Sequence, residues 1–226
     1  MIRFFMGVDL GQAHDYSAVS ILEQELKVYE PKPGWRPINP EVIDNTYLVR
    51  YLERFKLGTP YPLIVERIAR LMEQPQMKIE GKLIVDATGV GAPVVDMMKL
   101  RKLRPVCIKI TSGHEVTQTK DGYHVPKVEL VSALAVLFHS KRIKVAAKLP
   151  EAKYLRKEVL AFKYKIDRQT GHTTYGADEE AEHDDIVLSV SLASWYAMRG
   201  HYNRATIPGQ EPWKKDEKAN AWNPLD

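Results

Sequence analysis

The segment Leu83-Ile84-Val85-Asp86-Ala87-Thr88-Gly89-Val90-Gly91 constrains the fold of this chain more than any other stretch. Its apolar beginning predicts a buried strand, and its glycines predict a turn that opens a helix near Pro93. Asp86 would therefore stand at the carboxyl end of a central strand, which is where open α/β sheets carry their sites. Because an unpaired buried carboxylate is costly, we expect Asp86 to meet a cation or a polar partner there.

Two further acidic segments stand at the ends of apolar elements. Asp9 ends the apolar stretch that precedes Gly11, and Asp15 follows in the next turn. Much later in the chain, Asp184 and Asp185 open a long apolar helix. Three acidic segments that are far apart in sequence, each at the end of an apolar element, are typical of a carboxylate cluster that holds divalent metal.

The chemistry that suits such a cluster is phosphodiester hydrolysis. Two Mg²⁺ or Mn²⁺ ions roughly 3.5–4 Å apart activate the attacking water and stabilise the leaving oxygen. Carboxylates packed together without metal would raise each other's pKa by repulsion, so the ions are part of the predicted site. We predict Asp9 and Asp86 as metal ligands and catalytic residues. Asp15 is a weaker predicted ligand, because an Asp in a turn also has an ordinary structural use.

The adjacent acids Asp184 and Asp185 leave an alternative open. Neighbouring helical residues point about 100° apart, so we expect one of them to bind metal directly. The other would cap the helix N-terminus or reach a second ion. Hydrophobic periodicity does not decide between them, because both lie within one helical turn before Leu188.

The charge distribution adds a candidate nucleic-acid surface. The formal net charge of +4 is by itself too small to indicate a polyanionic partner. Between residues 141 and 168, however, there are ten Lys and Arg and only three Asp and Glu. A basic track beside an acidic centre suits a nuclease that holds phosphates, whereas the alternative is an ordinary solvated surface. The side chains predicted to contact double-stranded DNA are Lys141, Arg142, Lys144, Lys153, Arg156 and Lys157.

Composition and missing motifs exclude several other classes. A lone Cys107 excludes an internal disulfide framework and a cysteine zinc site. The apolar runs are far shorter than the roughly 18 residues of a membrane span, and we expect neither a signal peptide nor a membrane partner. No Gly-Lys-Ser/Thr phosphate loop occurs, so we expect no ATP site in this chain. His14 and His183 are expected to lie beside the site rather than to bind zinc.

The periodicity predicts a mixed sheet flanked by helices, with three antiparallel strands first. Residues 1–200 are predicted to form one domain, and residues 201–226 a flexible tail without periodicity. The polar residues 111–123 are predicted to be a mobile loop. The predicted strands are 2–10, 17–23, 45–55, 83–86, 105–110, 142–145, 163–166 and 172–175, and the predicted helices are 62–72, 93–103, 127–139, 150–162 and 184–198.

This order of elements is that of the ribonuclease H-like α/β fold, with its acids on the first strand, the fourth strand and a late helix. Over residues 3–198 the chain resembles the C-terminal nuclease domain of the large terminase subunit of tailed bacteriophages. The matching pieces are Gly7-Val8-Asp9 with Asp15-Tyr16-Ser17, Val85-Asp86-Ala87-Thr88-Gly89-Val90-Gly91, and His183-Asp184-Asp185.

The resemblance implies metal-dependent cleavage of concatemeric DNA during genome packaging, in the cytoplasm of an infected bacterium. It also implies a portal and a small terminase subunit as partners, and it favours Asp185 over Asp184 as the main metal ligand and third catalytic acid. The ATPase motor that precedes the nuclease in that family has no counterpart in this sequence, so we expect either a nuclease that is separately encoded or excised from a longer protein, or a motor that belongs to another chain.

Two other functions remain as alternatives at this point. A Holliday-junction resolvase or a transposase-like nuclease has the same fold and would be favoured by dimerisation and a preference for branched DNA. A non-catalytic module that docks on DNA or on the portal belongs to a different class. The retention of acids in all three segments argues against the non-catalytic module.

Overall fold

A computed structural model of the chain describes residues 2–11, 15–26, 45–89, 91–146, 148–166, 173–177 and 183–199. Six helices and ten strands lie in these ranges. The strands are β1 (Ile2–Asp9), β2 (Ala18–Glu25), β3 (Thr46–Arg54), β4 (Lys82–Asp86), β5 (Val106–Thr111), β6 (Thr117–Gln118), β7 (Gly122–Pro126), β8 (Ile143–Val145), β9 (Phe162–Ile166) and β10 (Thr173–Ala177). The helices are α1 (Tyr61–Met72), α2 (Pro75–Glu80), α3 (Gly91–Leu100), α4 (Lys127–His139), α5 (Ala152–Ala161) and α6 (Asp185–Arg199).

The main sheet has the order β6-β7-β5-β4-β1-β2-β3-β8. The first three strands are antiparallel neighbours, whereas β1, β4, β5 and β7 run parallel to one another. The carboxyl ends of β1, β3, β4, β5 and β7 therefore meet at one side of the sheet, which we call the carboxyl edge. The predicted ribonuclease H-like arrangement of a mixed sheet flanked by helices is confirmed.

The two faces of the sheet support separate hydrophobic cores, because successive side chains of a strand point to opposite faces. On one face Met6, Val8 and Val85 pack with α1 and α3. On the other face Phe5 and Ile84 pack with α4 and α6. Alternate residues of a strand lie on the same face. Asp9, four residues after Phe5, and Asp86, two residues after Ile84, therefore lie on the α6 face.

Helix α6 is the central helix of that face, and it is buried along almost its whole length. Its many serines and alanines have small side chains, so the helix backbone can approach the sheet closely. The approach is tightest at Gly7, where a Cβ would lie 1.9 Å from the carbonyl oxygen of Ser189. Only glycine fits at this point of β1, and this contact fixes how far α6 lies along the strand.

Two predictions about local structure are wrong. The segment predicted as a mobile loop contains β6 and the start of β7, and β7 pairs in parallel with β5. Only the last two residues of β7 are buried, so the strand has too little apolar alternation to be seen in the sequence. Helix α2 was not predicted, because six residues with one buried side chain, Met77, give no periodic signal.

The predicted hairpin at 163–166 and 172–175 is present as the antiparallel pair of β9 and β10, in which each strand has five residues where four were predicted. Its turn, His14 and the tail at 201–226 lie outside the described residues. No helix within the described ranges is both long and apolar enough to cross a bilayer.

Candidate active site

Two predicted metal ligands are neighbours at the carboxyl edge. Asp9 and Asp86 are the last residues of β1 and β4, and these strands pair in parallel with Val8 opposite Val85. Both acids point to the face covered by α6, and both are more than nine-tenths buried. Adjacent parallel strands lie roughly 4.8 Å apart, so the sheet itself holds these carboxylates near each other.

The contact between Gly7 and Ser189 places a third acid, Asp185 of α6, at the same height along β1 as Asp9. Asp185 precedes Ser189 by one helical turn, about 6 Å along the helix axis. Asp9 follows Gly7 by two residues, about 7 Å along the strand. Because α6 runs against β1 with its N-terminus at the carboxyl edge, Asp185 and Asp9 end level with each other.

The electrostatics agree with this arrangement. Burial raises the pKa of Asp9 well above its ordinary value, and the charges of Asp86, Asp185 and Asp184 raise it further. Burial also raises the pKa of Asp86, although the Thr88 backbone N–H donates to its Oδ1 at 2.8 Å and works in the opposite direction. Each carboxylate is thus made harder to ionise by its place in the cluster.

Asp185 is as deeply buried as the two acids of the sheet. Its side chain is 6% exposed, and its Oδ2 has no hydrogen-bond partner among the described residues. Burial raises its pKa to about 7, with further contributions from the charges of Asp184 and Asp15. Asp15 itself is exposed, so the structure puts this weaker predicted ligand at the rim of the cluster.

Asp184 lies in a different environment although it is the next residue. Its backbone carbonyl accepts the first helical hydrogen bond of α6 from the Leu188 N–H at 2.9 Å, so Asp184 is the N-cap residue. Its Oδ2 accepts a hydrogen bond from Lys127 Nζ at 2.7 Å. The two aspartates that the sequence could not tell apart are therefore distinguished by their partners.

The cluster suits a divalent cation in the kind of atoms that it offers. Oxygen donors are those that Mg²⁺ and Mn²⁺ prefer, and the buried Oδ2 of Asp185 has no hydrogen-bond partner among the described residues, so it is open to a cation. Within the described residues, no three Asp, Glu, His or Cys side chains lie close enough together to coordinate one ion as they stand. Asp9, Asp86 and Asp185 are the residues that would hold such an ion.

The turn after β4 is fixed against the neighbouring strand. The Ala87 N–H donates to the carbonyl of Ile108, and the Ile110 N–H donates to Thr88 Oγ1, both at 2.8 Å. Gly89 has φ +62°, a left-handed conformation that favours glycine. These contacts fasten the residues directly after Asp86 and leave its carboxylate little freedom to turn away from Asp9.

Solved structures resemble this arrangement of sheet and helices. The large terminase nuclease from the thermophilic phage G20c is 21% identical, with a TM-score of 0.54 over 85% of this chain and 81% of that one. The human cytomegalovirus terminase nuclease domain, in a manganese-soaked structure, is 14% identical, with a TM-score of 0.50 over 88% of this chain and 85% of that one. The fold is that of the terminase nuclease domains. No protein-family profile and no curated protein matches the sequence.

Within this ribonuclease H-like fold, a second layer of charged groups lies behind α6, and the sequence analysis missed it. Glu158 of α5 is buried, and its Oε2 accepts a hydrogen bond from the backbone N–H of Val187 at 2.8 Å. Arg54, at the end of β3, lies 3.7 Å from the other oxygen of Glu158. Its guanidinium group stacks between the rings of Tyr16 and Tyr154, at 4.6 and 4.4 Å. This layer holds the first turn of α6.

Lys127 is the other residue that the sequence analysis missed. It is the first residue of α4 and follows β7, a strand that was not predicted and whose first two residues were assigned to a loop. No local pattern marks it, because its position beside the acids depends on a strand that the sequence did not reveal. His183, by contrast, lies beside the site as expected, with Nδ1 3.9 Å from Asp185 Oδ2 and its ring against Tyr16.

The six predicted DNA contacts fall into two groups. Lys141, Arg142 and Lys144 are in or next to β8, which pairs with the beginning of β3. The nearest β3 residue in that pairing, Val49, is about 17 Å along the strand from Arg54 at the carboxyl edge. In addition, Arg142 Nε donates to the carbonyl of Asn45 at 3.0 Å. The second group consists of exposed residues of α5, the helix that also carries the buried Glu158: Lys153, Arg156 and Lys157.

Proposed function

We propose that this chain is a divalent-metal-dependent DNA endonuclease that cuts concatemeric viral DNA during genome packaging. The observation that carries the proposal is the meeting of Asp9, Asp86 and Asp185 at one edge of the sheet. Burial raises the pKa of each, and the charges of Asp86 and Asp185 raise that of Asp9 further, which is characteristic of acids assembled for a cation. The two terminase nuclease folds support the same assignment.

Each acid has a separate part in the proposed reaction. Asp9 and Asp86 would hold a divalent cation from the sheet, and Asp185 would hold it from α6. Two bound Mg²⁺ or Mn²⁺ ions would supply the charge that activates water and stabilises the leaving oxygen of the phosphodiester. Asp184 remains on its partner Lys127, and Asp15 at the rim is a further ligand only if a second ion binds there.

The wider context of the proposal rests on the similarity in fold. Concatemeric double-stranded DNA is the proposed substrate, and a portal, a small terminase subunit and an ATPase motor are proposed partners. We propose that the protein acts in the cytoplasm of an infected bacterium. The described residues contain no element that we assign to a motor function.

The proposal is tested by a plasmid-nicking assay with Mn²⁺ or Mg²⁺, with and without EDTA. Wild-type protein should nick the plasmid only when metal is present. Asp86→Asn should abolish nicking, because an amide of the same size replaces a ligand, and its unfolding temperature in EDTA should hold or rise as repulsion is relieved. Asp96→Asn on the exposed surface of α3 is the matched control and should cleave normally. Cleavage by Asp86→Asn at the wild-type rate would refute the proposal.

For the DNA surface, we propose that the α5 group binds the backbone more closely than the β8 group does. The α5 side chains lie on the helix whose Glu158 reaches α6, whereas β8 pairs at the far end of β3. Neutralising Arg156 and Lys157 together should lower the slope of log affinity against log salt by up to about two units. The same change at Lys141 and Lys144 should lower it less. Equal slopes in the two double variants would contradict this ranking.

A further inference from the structure

The adjacent acids at the start of α6 differ in burial and in partner. Asp185 is 6% exposed and its Oδ2 lacks a hydrogen-bond partner among the described residues. Asp184 is 25% exposed and its Oδ2 accepts a hydrogen bond from the ammonium group of Lys127 at 2.7 Å. Of two identical side chains in one helical turn, the one at 184 already has a positively charged partner and the one at 185 has an oxygen without a hydrogen-bond partner.

Lys127 acts on the whole cluster as well as on Asp184. It begins α4 immediately after β7, whose carboxyl end belongs to the carboxyl edge, and α4 packs against α6. Its positive charge lowers the pKa of both Asp9 and Asp86, which burial otherwise raises. An ammonium group that influences acids on β1, β4 and α6 stands beside the point where a metal ion would bind.

We propose that Lys127 retains Asp184 as its ion-pair partner and thereby makes Asp185 the carboxylate of α6 that binds the metal ion. This inference rests on the proposed metal-dependent nuclease. An aspartate that already accepts a charge-assisted hydrogen bond must give it up before its oxygen can bind a cation. The ammonium group also repels an approaching cation, which disfavours binding of the metal ion by Asp184. Lys127 is a positioning residue in this scheme.

The test measures binding of Mn²⁺ alone by calorimetry, without DNA and without turnover. In Lys127→Met, the repulsion is removed and Asp184 is released, so Mn²⁺ should bind about tenfold more tightly than to wild type. Asp185→Ala should bind Mn²⁺ weakly. The double variant Lys127→Met with Asp185→Ala should recover most of the lost affinity, because Asp184 can then take the vacant role.

Two controls separate this effect from a general change of charge. Lys78→Met makes the same charge change on α2, an exposed helix on the opposite face of the sheet, and should leave Mn²⁺ affinity unchanged. Lys127→Arg keeps the charge and should bind Mn²⁺ as wild type does. Lys127→Gln removes the charge but keeps a hydrogen-bond donor, and it replaces Lys127→Met if the methionine variant does not fold in EDTA.

The outcomes distinguish this inference from the proposed function. If wild-type protein binds no Mn²⁺, the proposed metal-dependent nuclease fails, and this inference fails with it. If wild type binds Mn²⁺ but the Lys127 variants without charge bind it equally or more weakly, only the role of Lys127 is overturned. Failure of the double variant to recover affinity would likewise overturn the assignment of Asp184 as the acid that Lys127 withholds.

Discussion

Acidic side chains occur in two regions of this sheet, and the chain treats them in opposite ways. On β2 and β3, Glu23 accepts hydrogen bonds from Arg50 at 2.6 and 3.1 Å, and Glu53 accepts one from Arg67 at 3.0 Å. At the carboxyl edge, no arginine pairs with the deeply buried Asp9, Asp86 or Asp185 in the described residues. The glutamates are neutralised by the protein itself, whereas the aspartates are crowded with like charge.

The difference separates acids that stabilise the fold from acids that the fold merely tolerates. A carboxylate with a bidentate arginine recovers much of what it loses on leaving water. The three aspartates recover less of this solvation free energy, and their pKa values are raised as a result. A bound cation would balance such a deficit, which is why the carboxyl edge, and not the β2–β3 pairs, is the candidate site.

Loss of Asp185 should affect cleavage as strongly as loss of Asp86, and more strongly than loss of Asp184. Asp185→Ala is expected to abolish cleavage, because it removes the carboxylate that α6 contributes. Asp184→Ala should leave a measurable remnant at high Mn²⁺, on the order of one tenth to one hundredth of the wild-type rate. Mn²⁺ titrations of the two variants provide the check. The assignment is reversed if Asp184→Ala loses the tighter metal and Asp185→Ala keeps it.

A change at Gly7 should break the site without touching an acid. Gly7→Ala forces a methyl group against the carbonyl of Ser189, so α6 must move away from β1. We expect the free energy of unfolding to fall by about 3 kcal/mol, and Mn²⁺ affinity to fall because Asp185 leaves the level of Asp9. Urea unfolding and calorimetry measure the two effects. Gly113→Ala, whose new methyl group would meet only Thr111 Oγ1 at 3.9 Å, is the control and should change neither.

The sequence allowed the acids at the ends of β1 and β4 to be predicted because a strand that ends in Asp before a glycine-rich turn is a local pattern. The start of α6 was predicted within one residue for a similar reason. Lys127, Arg54 and Glu158 could not be predicted, since their roles depend on contacts between distant segments. Glu158 in particular lies among lysines and arginines on α5, where an acid is ordinarily a solvated residue.

Glu158 is intermediate between the two classes of acid, and its pH dependence sharpens the comparison. Burial raises its pKa to about 7, despite the Val187 N–H and Arg54. A carboxyl group whose pKa is higher in the folded state binds more protons when folded, so the stability it contributes is lost as pH rises from about 4.5 to about 7.

In EDTA, the free energy of unfolding of wild type should therefore decrease across this pH range, with Glu158 contributing on the order of 3 kcal/mol at most. Glu158→Gln keeps an oxygen for the Val187 N–H but does not titrate, so the decrease should become shallower. Urea unfolding at several pH values measures it. An unchanged pH profile in Glu158→Gln would mean that Glu158 stays ionised and belongs with the arginine-paired glutamates.

The smallest change in the free energy of unfolding is expected when a glutamate of an arginine pair is replaced. Its sign should be opposite to that at the aspartates. Glu53 and Arg67 are 28% and 31% exposed, so water screens their attraction and the pair contributes little. Glu53→Gln should lower the free energy of unfolding by about 1 kcal/mol, because Tyr51 and Arg67 both lose the charge of their partner. Asp9→Asn should instead raise the free energy of unfolding in EDTA, since it relieves repulsion.

Plasmid cleavage completes the contrast, because Glu53→Gln should retain the wild-type rate and Asp9→Asn should lose it. Urea unfolding in EDTA, measured on both variants beside wild type, gives the two signs directly. If Asp9→Asn destabilises the metal-free protein as Glu53→Gln does, then Asp9 has a stabilising partner in the fold. The distinction between neutralised glutamates and crowded aspartates would then not hold at β1, and the proposed cation site at the carboxyl edge would rest on Asp86 and Asp185 alone.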